Sequence, residues 1–213
     1  MDSSGLYLDV TGFARSTPAW VQSAFEVWTK YGLLVFGALF IAVWWRARGR
    51  EHPRAVALAV LAPLVTALAY VASELVKTLV YEERPCRAVA GAAASLITCP
   101  ASGDWSFPSN HSVIAGAAAV TLALAVPRLG LLTVPLALFM AYSRVFVGVH
   151  YPHDVAMGLL LGASLAALAV LALTGPTTRA VCAVRAGGGR AAVLITGPDP
   201  AQRGRNVSGC RLP

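Results

Sequence analysis

Charge is scarce in this chain. Of its 213 residues only 13% are Asp, Glu, Lys or Arg, against roughly 25% in a soluble globular domain. The scarcity is uneven. No charged side chain occurs in 31–45, 55–73, 112–127, 129–143 or 155–178. Runs of this kind exclude an ordinary soluble fold, whose surface helices carry a polar face. Cysteines number 4, and their spacing excludes a zinc-stapled module. The first 30 residues lack a basic start and a clean apolar core before a small-residue cleavage site, so they do not read as a signal peptide.

What is present is apolar: 57% of residues are hydrophobic. A spanning helix needs about 20 apolar residues, range roughly 17–25. The second and fifth runs meet that length alone. The others reach it with flanks such as 27–29, where Lys30 can snorkel. The reading is all-α: a polytopic membrane bundle of five transmembrane helices. Pro63 and Pro135 fall inside two of them, which bundles tolerate when neighbours re-satisfy the backbone. Gly158 and Gly162 form a small-xxx-small face on the fifth helix, a close-packing signal. Residues 17–29 read as a short N-terminal interfacial helix with Trp20 and Trp28 at headgroup depth. Three segments follow: 1–30 interfacial, 31–175 the membrane domain, and 176–213 a basic tail expected to be disordered.

Arginines orient the bundle. Arg46, Arg48, Arg50 and Arg54 lie between the first two spans. Arg179, Arg185, Arg190, Arg203, Arg205 and Arg211 follow the last, and Arg128 sits in the turn between the third and fourth. With five spans all share one side, which the positive-inside rule makes cytoplasmic. Segments 78–110 and 143–154 then face outward. Cys86 and Cys99 fall in the outer loop, as a disulfide or as two thiols. Bridged, they would stabilise the loop by about 3 kcal/mol in the chain-entropy model. Cys182 and Cys210 fall in the inner tail. There the Asn206 glycosylation triplet would never meet its enzyme. Anionic lipid headgroups are a candidate partner of the tail.

Three polar islands sit on the outward side. In KTLVYEERP, Lys77 and Arg84 are seven apart, so a continuous helix would place them on one face; Pro85 stops it. In SFPSNHS, Pro108 suits a first helical turn with Ser106 or Phe107 near the cap. The free N–H groups and the Ser109 hydroxyl then make an anion site, with His111 in the same turn. In SRVFVGVHYPHD, Pro152 marks a helix start. Asp154 lies in its first turn and His150 just before it, four residues away. A carboxylate on one ring nitrogen fixes the tautomer and makes the other a better nucleophile. His153 is read as an interfacial bystander. Three fixed cations, Lys77, Arg84 and Arg144, would repel a metal ion held by the two histidines and the aspartate. They suit a phosphate group, gripped by arginine, attacked by one histidine and protonated by another.

These islands resemble the three motifs of the type-2 phosphatidic-acid phosphatase family, the lipid phosphate phosphatases related to vanadium haloperoxidases. Lys77 and Arg84-Pro85 match the first; Pro108-Ser109-Asn110-His111 the second, with Asn110 where the pattern has glycine; Ser143-Arg144, His150 and Asp154 the third. The likeness covers about 30–175. It implies His150 as nucleophile forming a phosphohistidine, Asp154 orienting it and His111 as general acid. Lys77, Arg84, Ser109, Asn110 and Arg144 would bind the phosphoryl oxygens, with no metal or cofactor. YEERP, DWSFPSNHS and SRVFVGVHYPHDV look most similar to bacterial undecaprenyl-diphosphate phosphatases. The implied partners are a lipid phosphate or diphosphate and membrane lipids, not nucleic acid. The implied location is the bacterial plasma membrane, multi-pass, with the site on the extracytoplasmic face. Alternatives within this frame are a phosphatase acting on phosphatidic acid or phosphatidylglycerol phosphate, a lipid phosphotransferase, or a non-enzymatic membrane protein.

Overall fold

The computed structural model describes residues 3–49, 52–187 and 189–197, all helix or connection with no strand among them. In chain order the helices are α1 (Ser4–Ser16), α2 (Ala19–Tyr31), α3 (Leu33–Arg48), α4 (Pro53–Val80), α5 (Pro85–Ala88), α6 (Asn110–Ala125), α7 (Gly130–Phe146), α8 (Pro152–Ala186) and α9 (Arg190–Thr196). A 3-10 turn, Pro127–Leu129, joins α6 to α7.

α6 is the hub, packed on α4, α7 and α8. Small residues allow this. A Cβ built at Gly162 would collide with the Val113 carbonyl oxygen, and one at Gly116 would stand 2.7 Å from that of Leu159. The two backbones touch where larger side chains would hold them apart. Around the hub, Phe36, Val56, Leu122 and Met140 form one apolar cluster and Leu61, Val65, Val113 and Val170 a second. The outer faces are apolar too: Leu131 is 85% exposed and Leu171 76%. Large apolar side chains facing out all round the bundle fit a hydrocarbon solvent, not water.

Among the described residues, the segments Pro53–Ala88 and Pro127–Phe146 and helix α8 are long and apolar enough to cross a membrane; α2 and α3, bent by 48°, make a fourth span if counted as one. α6 differs from the expected third span. Its 16 residues rise roughly 24 Å at 1.5 Å per residue, short of a hydrocarbon core of about 30 Å. The flanks expected to lengthen the run 112–127 do not join it, because α6 starts after Ser109 and stops before the 3-10 turn.

The ends also depart from expectation. The helix expected over 17–29 is α2 (Ala19–Tyr31), but a further helix, α1, precedes it across Pro18, and α2 continues into the bend with α3. Trp20 is exposed, but Trp28 packs against the core. α1 lies on α7 and its link to α8: Tyr7 is fully buried and donates to the Gly148 carbonyl at 3.0 Å. At the other end α8 continues through Pro176 to Ala186, where disorder was expected, and α9 folds back so that Arg185 donates to the Thr196 carbonyl at 3.0 Å. Arg50 and residues 198–213, with Arg203, Arg205, Arg211, Cys210 and the Asn206 triplet, lie outside the described residues.

Candidate active site

The end of α4, the start of α6, the end of α7 and the start of α8 meet at one end of the bundle, and the three polar islands meet with them. α4 stops at Val80, capped by Tyr81 in the left-handed conformation (φ 50°). Arg84 therefore leaves the helix and sits in extended backbone before α5. It does not share a helix face with Lys77, as the seven-residue spacing suggested. The two cations are joined by a third residue. Asp104 Oδ1 lies 2.8 Å from Arg84 Nη2 and 3.5 Å from Lys77 Nζ, and Arg84 Nε donates to the Asp104 carbonyl at 2.8 Å. Burial pushes the Asp104 carboxyl up, but the Arg84 hydrogen bond and the charges of Arg84 and Lys77 outweigh it and hold the group below its ordinary value. Cys86, in α5, is bonded to Cys99 with Cα atoms 6.1 Å apart, which pins this loop to itself.

The second island is displaced by one turn from expectation. Ser109, not Ser106 or Phe107, caps α6, and Pro108 precedes the helix on a cis peptide. Ser106 turns instead to the third island. Its hydroxyl donates to Asp154 Oδ2 and lies 3.4 Å from His150 Nδ1. Ser109 is fully buried and its Oγ takes no partner among the described residues. The Asn110 side chain reaches α4, where Glu74 Oε1 also lies 3.7 Å from Lys77 Nζ. Asn110 donates to Glu74 Oε1 and accepts from Ser73 at 2.7 Å, so it ties α6 to α4. Where the family pattern has glycine, this chain has a helix-to-helix link.

In the third island Pro152 opens α8 as expected. Asp154 Oδ2 accepts the Tyr151 N–H at 2.8 Å, the capping interaction that orders the first turn. His150 is 2% exposed, with Nδ1 3.3 Å from Asp154 Oδ2 and Nε2 3.0 Å from Arg84 Nη1. A guanidinium has donors only. His150 Nε2 must therefore be the bare acceptor, and Nδ1 carries the proton toward the carboxylate. Burial first, then Arg144, Arg84, Lys77 and His111, hold His150 well below the usual histidine range. The ring is neutral, with its lone pair turned toward the cations.

Arg144 is buried and donates to Thr29 Oγ1 at 2.7 Å; its Nε finds no partner among the described residues. Arg144 and His111 line a cleft of about 740 Å³ that opens between α2 and the 96–98 loop, with Lys30 and Glu26 in its wall. Such a cavity admits a phosphate and part of a lipid headgroup. Asp104, Ser106 and Thr29 were not singled out as site residues by sequence reasoning. A capping-type serine two residues before Pro108 was the only local signal for any of them.

The profile of the PAP2 superfamily matches residues 58–176, which hold all three islands. The chain belongs to the PAP2 superfamily. Among curated members, it is 44% identical over 79 residues to an undecaprenyl-diphosphatase of Sulfolobus acidocaldarius, covering 36% of this chain and 38% of that protein. It is 32% identical over 136 residues to undecaprenyl-diphosphatase BcrC of Bacillus subtilis, covering 62% and 65%. The chain thus spans less than two thirds of either relative. A solved PAP2 structure, a transmembrane phosphatidylglycerolphosphate phosphatase of Bacillus subtilis, superposes with a TM-score of 0.57 at 22% identity, covering 77% of this chain and 82% of that one. At that identity it is the PAP2 fold that is shared. The helices of this PAP2 chain are those of a multi-pass membrane protein.

Proposed function

We propose that this protein is a membrane lipid phosphatase that hydrolyses a polyprenyl diphosphate, undecaprenyl diphosphate, to the monophosphate at the extracytoplasmic face. The observation that carries the reading is the unprotonated His150 Nε2 facing Arg84, with Asp154 behind the ring.

His150 Nε2 attacks the terminal phosphorus and the P–O bond to the remaining lipid monophosphate breaks. His111, protonated once the bound phosphate offsets the charge of the neighbouring cations, gives that leaving oxygen a proton. Asp154 accepts the Nδ1–H throughout and stabilises the charge that develops on the ring. Arg84, Arg144, Lys77 and the Ser109 hydroxyl bind the phosphoryl oxygens, aided by the N–H groups that open α6. Water, deprotonated by His111, then hydrolyses the phosphohistidine and releases phosphate. None of these steps calls for a metal.

The curated relatives named undecaprenyl-diphosphatase support the diphosphate substrate. The fold likeness to a phosphatidylglycerolphosphate phosphatase favours a second reading on the same machinery, a glycerolipid phosphatase. Phosphate release by purified protein in detergent with EDTA, from undecaprenyl diphosphate, phosphatidic acid and phosphatidylglycerol phosphate side by side, tests both. Preference for the diphosphate is expected. Preference for a glycerolipid moves the substrate, and release from none of them overturns the phosphatase reading.

A further inference from the structure

Asp154 spends one carboxylate oxygen on His150, Ser106 and the Tyr151 N–H. Its other oxygen, Oδ1, is buried and takes no hydrogen bond among the described residues. That oxygen lies 3.4 Å from His153 Nε2. The same nitrogen is 3.0 Å from Glu82 Oε1 and 3.2 Å from Oε2. His153 Nδ1 is 2.7 Å from the Ser3 hydroxyl. His153, expected to be a bystander, is thus wedged between two carboxylates.

The donor set is one imidazole nitrogen and two carboxylates, all within 4.8 Å of one another. The 3.4 Å from Nε2 to Asp154 Oδ1 matches the edge of a tetrahedron with ligand bonds of about 2.0–2.2 Å; Glu82 Oε1 at 3.0 Å and Oε2 at 3.2 Å lie a little inside it. Ser3 plays the part of the hydroxyl or carbonyl that fixes a metal-ligating ring from its far side. If Ser3 accepts the Nδ1 proton, Nε2 turns a lone pair onto the lone pairs of two carboxylates, an arrangement that a metal cation or a second ring proton relieves. None of Lys77, Arg84 or Arg144 makes an ion pair with Glu82 among the described residues. The group opens onto a separate cleft of about 280 Å³ lined by Val80, Phe107 and Met157, giving an entry path and room for a water ligand.

We propose that Glu82, His153 and Asp154 Oδ1 form an inhibitory site for a divalent transition cation of the zinc type. A cation on Oδ1 draws charge from the carboxylate that accepts the His150 Nδ1–H. His150 Nε2 then becomes a weaker nucleophile. The inhibitory half rests on the phosphatase reading above; the binding half does not.

The test uses the full chain in detergent, free of any histidine tag and stripped with EDTA. Zinc binding is measured by competition with a fluorescent chelator, and phosphate release is measured against free zinc. Zinc is expected to bind and to inhibit reversibly. His153→Gln and Glu82→Gln should each weaken binding on the order of tenfold or more and shift the inhibition curve equally, each curve read relative to that variant's own zinc-free rate. Equal zinc affinity in both variants and wild type overturns the site and leaves the three residues sharing a proton only. Binding that both variants lose, in a protein that cleaves no lipid phosphate, keeps the metal site and sinks the phosphatase reading instead.

Discussion

Asp104 holds its carboxylate 2.8 Å from Arg84 and 3.5 Å from Lys77, on the two cations that are expected to grip a phosphate. The side chain is half exposed (48%), and those cations keep it ionised. It therefore competes with an incoming phosphoryl group. Asp104→Asn should tighten inhibition by orthovanadate, a phosphate mimic. The gain should stay below about fivefold, the range of a partly screened ion pair. Arg84 keeps its bond to the Asp104 carbonyl in that variant. A vanadate affinity that stays the same or weakens would show that the carboxylate positions the cations and does not compete.

His150→Ala should abolish phosphate release while the protein still inserts and runs as a single species in size exclusion. Asp154→Asn should leave a residue of activity, lower by orders of magnitude, because the ring loses the partner that holds its tautomer. Wild-type turnover in the first variant removes His150 as nucleophile; unchanged turnover in the second makes Asp154 purely structural.

Burial and the surrounding cations keep His150 neutral well below the usual histidine range. In the unfolded chain it protonates near about 6.5. Below that pH the unfolded state binds the extra proton and the folded state does not. This contribution to stability is full above about 6.5 and is lost progressively as pH falls toward the depressed folded value. Melting temperature in detergent, scanned from neutral to mildly acid pH, should fall in the wild type and fall less steeply in His150→Gln. Equal slopes would place the acid sensitivity elsewhere.

The α6–α8 contact should tolerate no added methyl. Gly162→Ala puts a Cβ onto the Val113 carbonyl, and Gly158→Ala puts one 2.8 Å from that of Ser109. Each should cost about 1–3 kcal/mol of stability and reduce activity, because Asp154 sits at the head of the same helix and its carbonyl accepts the Ser109 N–H at 3.2 Å. Gly12→Ala, in α1 with nothing within 4 Å of the new atom, should instead be neutral or stabilising by up to about 1 kcal/mol. Thermal unfolding of the three variants separates steric crowding from a general intolerance of alanine.

Orientation has its own check. After reduction of intact cells, a membrane-impermeant thiol reagent should reach Cys86 or Cys99. Labelling that needs broken cells would put the candidate site on the cytoplasmic side.

The sequence by itself determined what short-range rules govern. Uncharged runs announced a helical membrane bundle, because hydrocarbon tolerates neither charge nor an unpaired backbone. His150 and Asp154, four residues apart across Pro152, announced a histidine backed by a carboxylate, because a helix start fixes that distance. Tertiary structure decided the rest. Asp104 reaches Arg84 across 20 positions, Thr29 reaches Arg144 across 115, and Ser3 reaches His153 across 150. Contacts of that separation leave no period in the sequence; the packing of distant helices alone creates them.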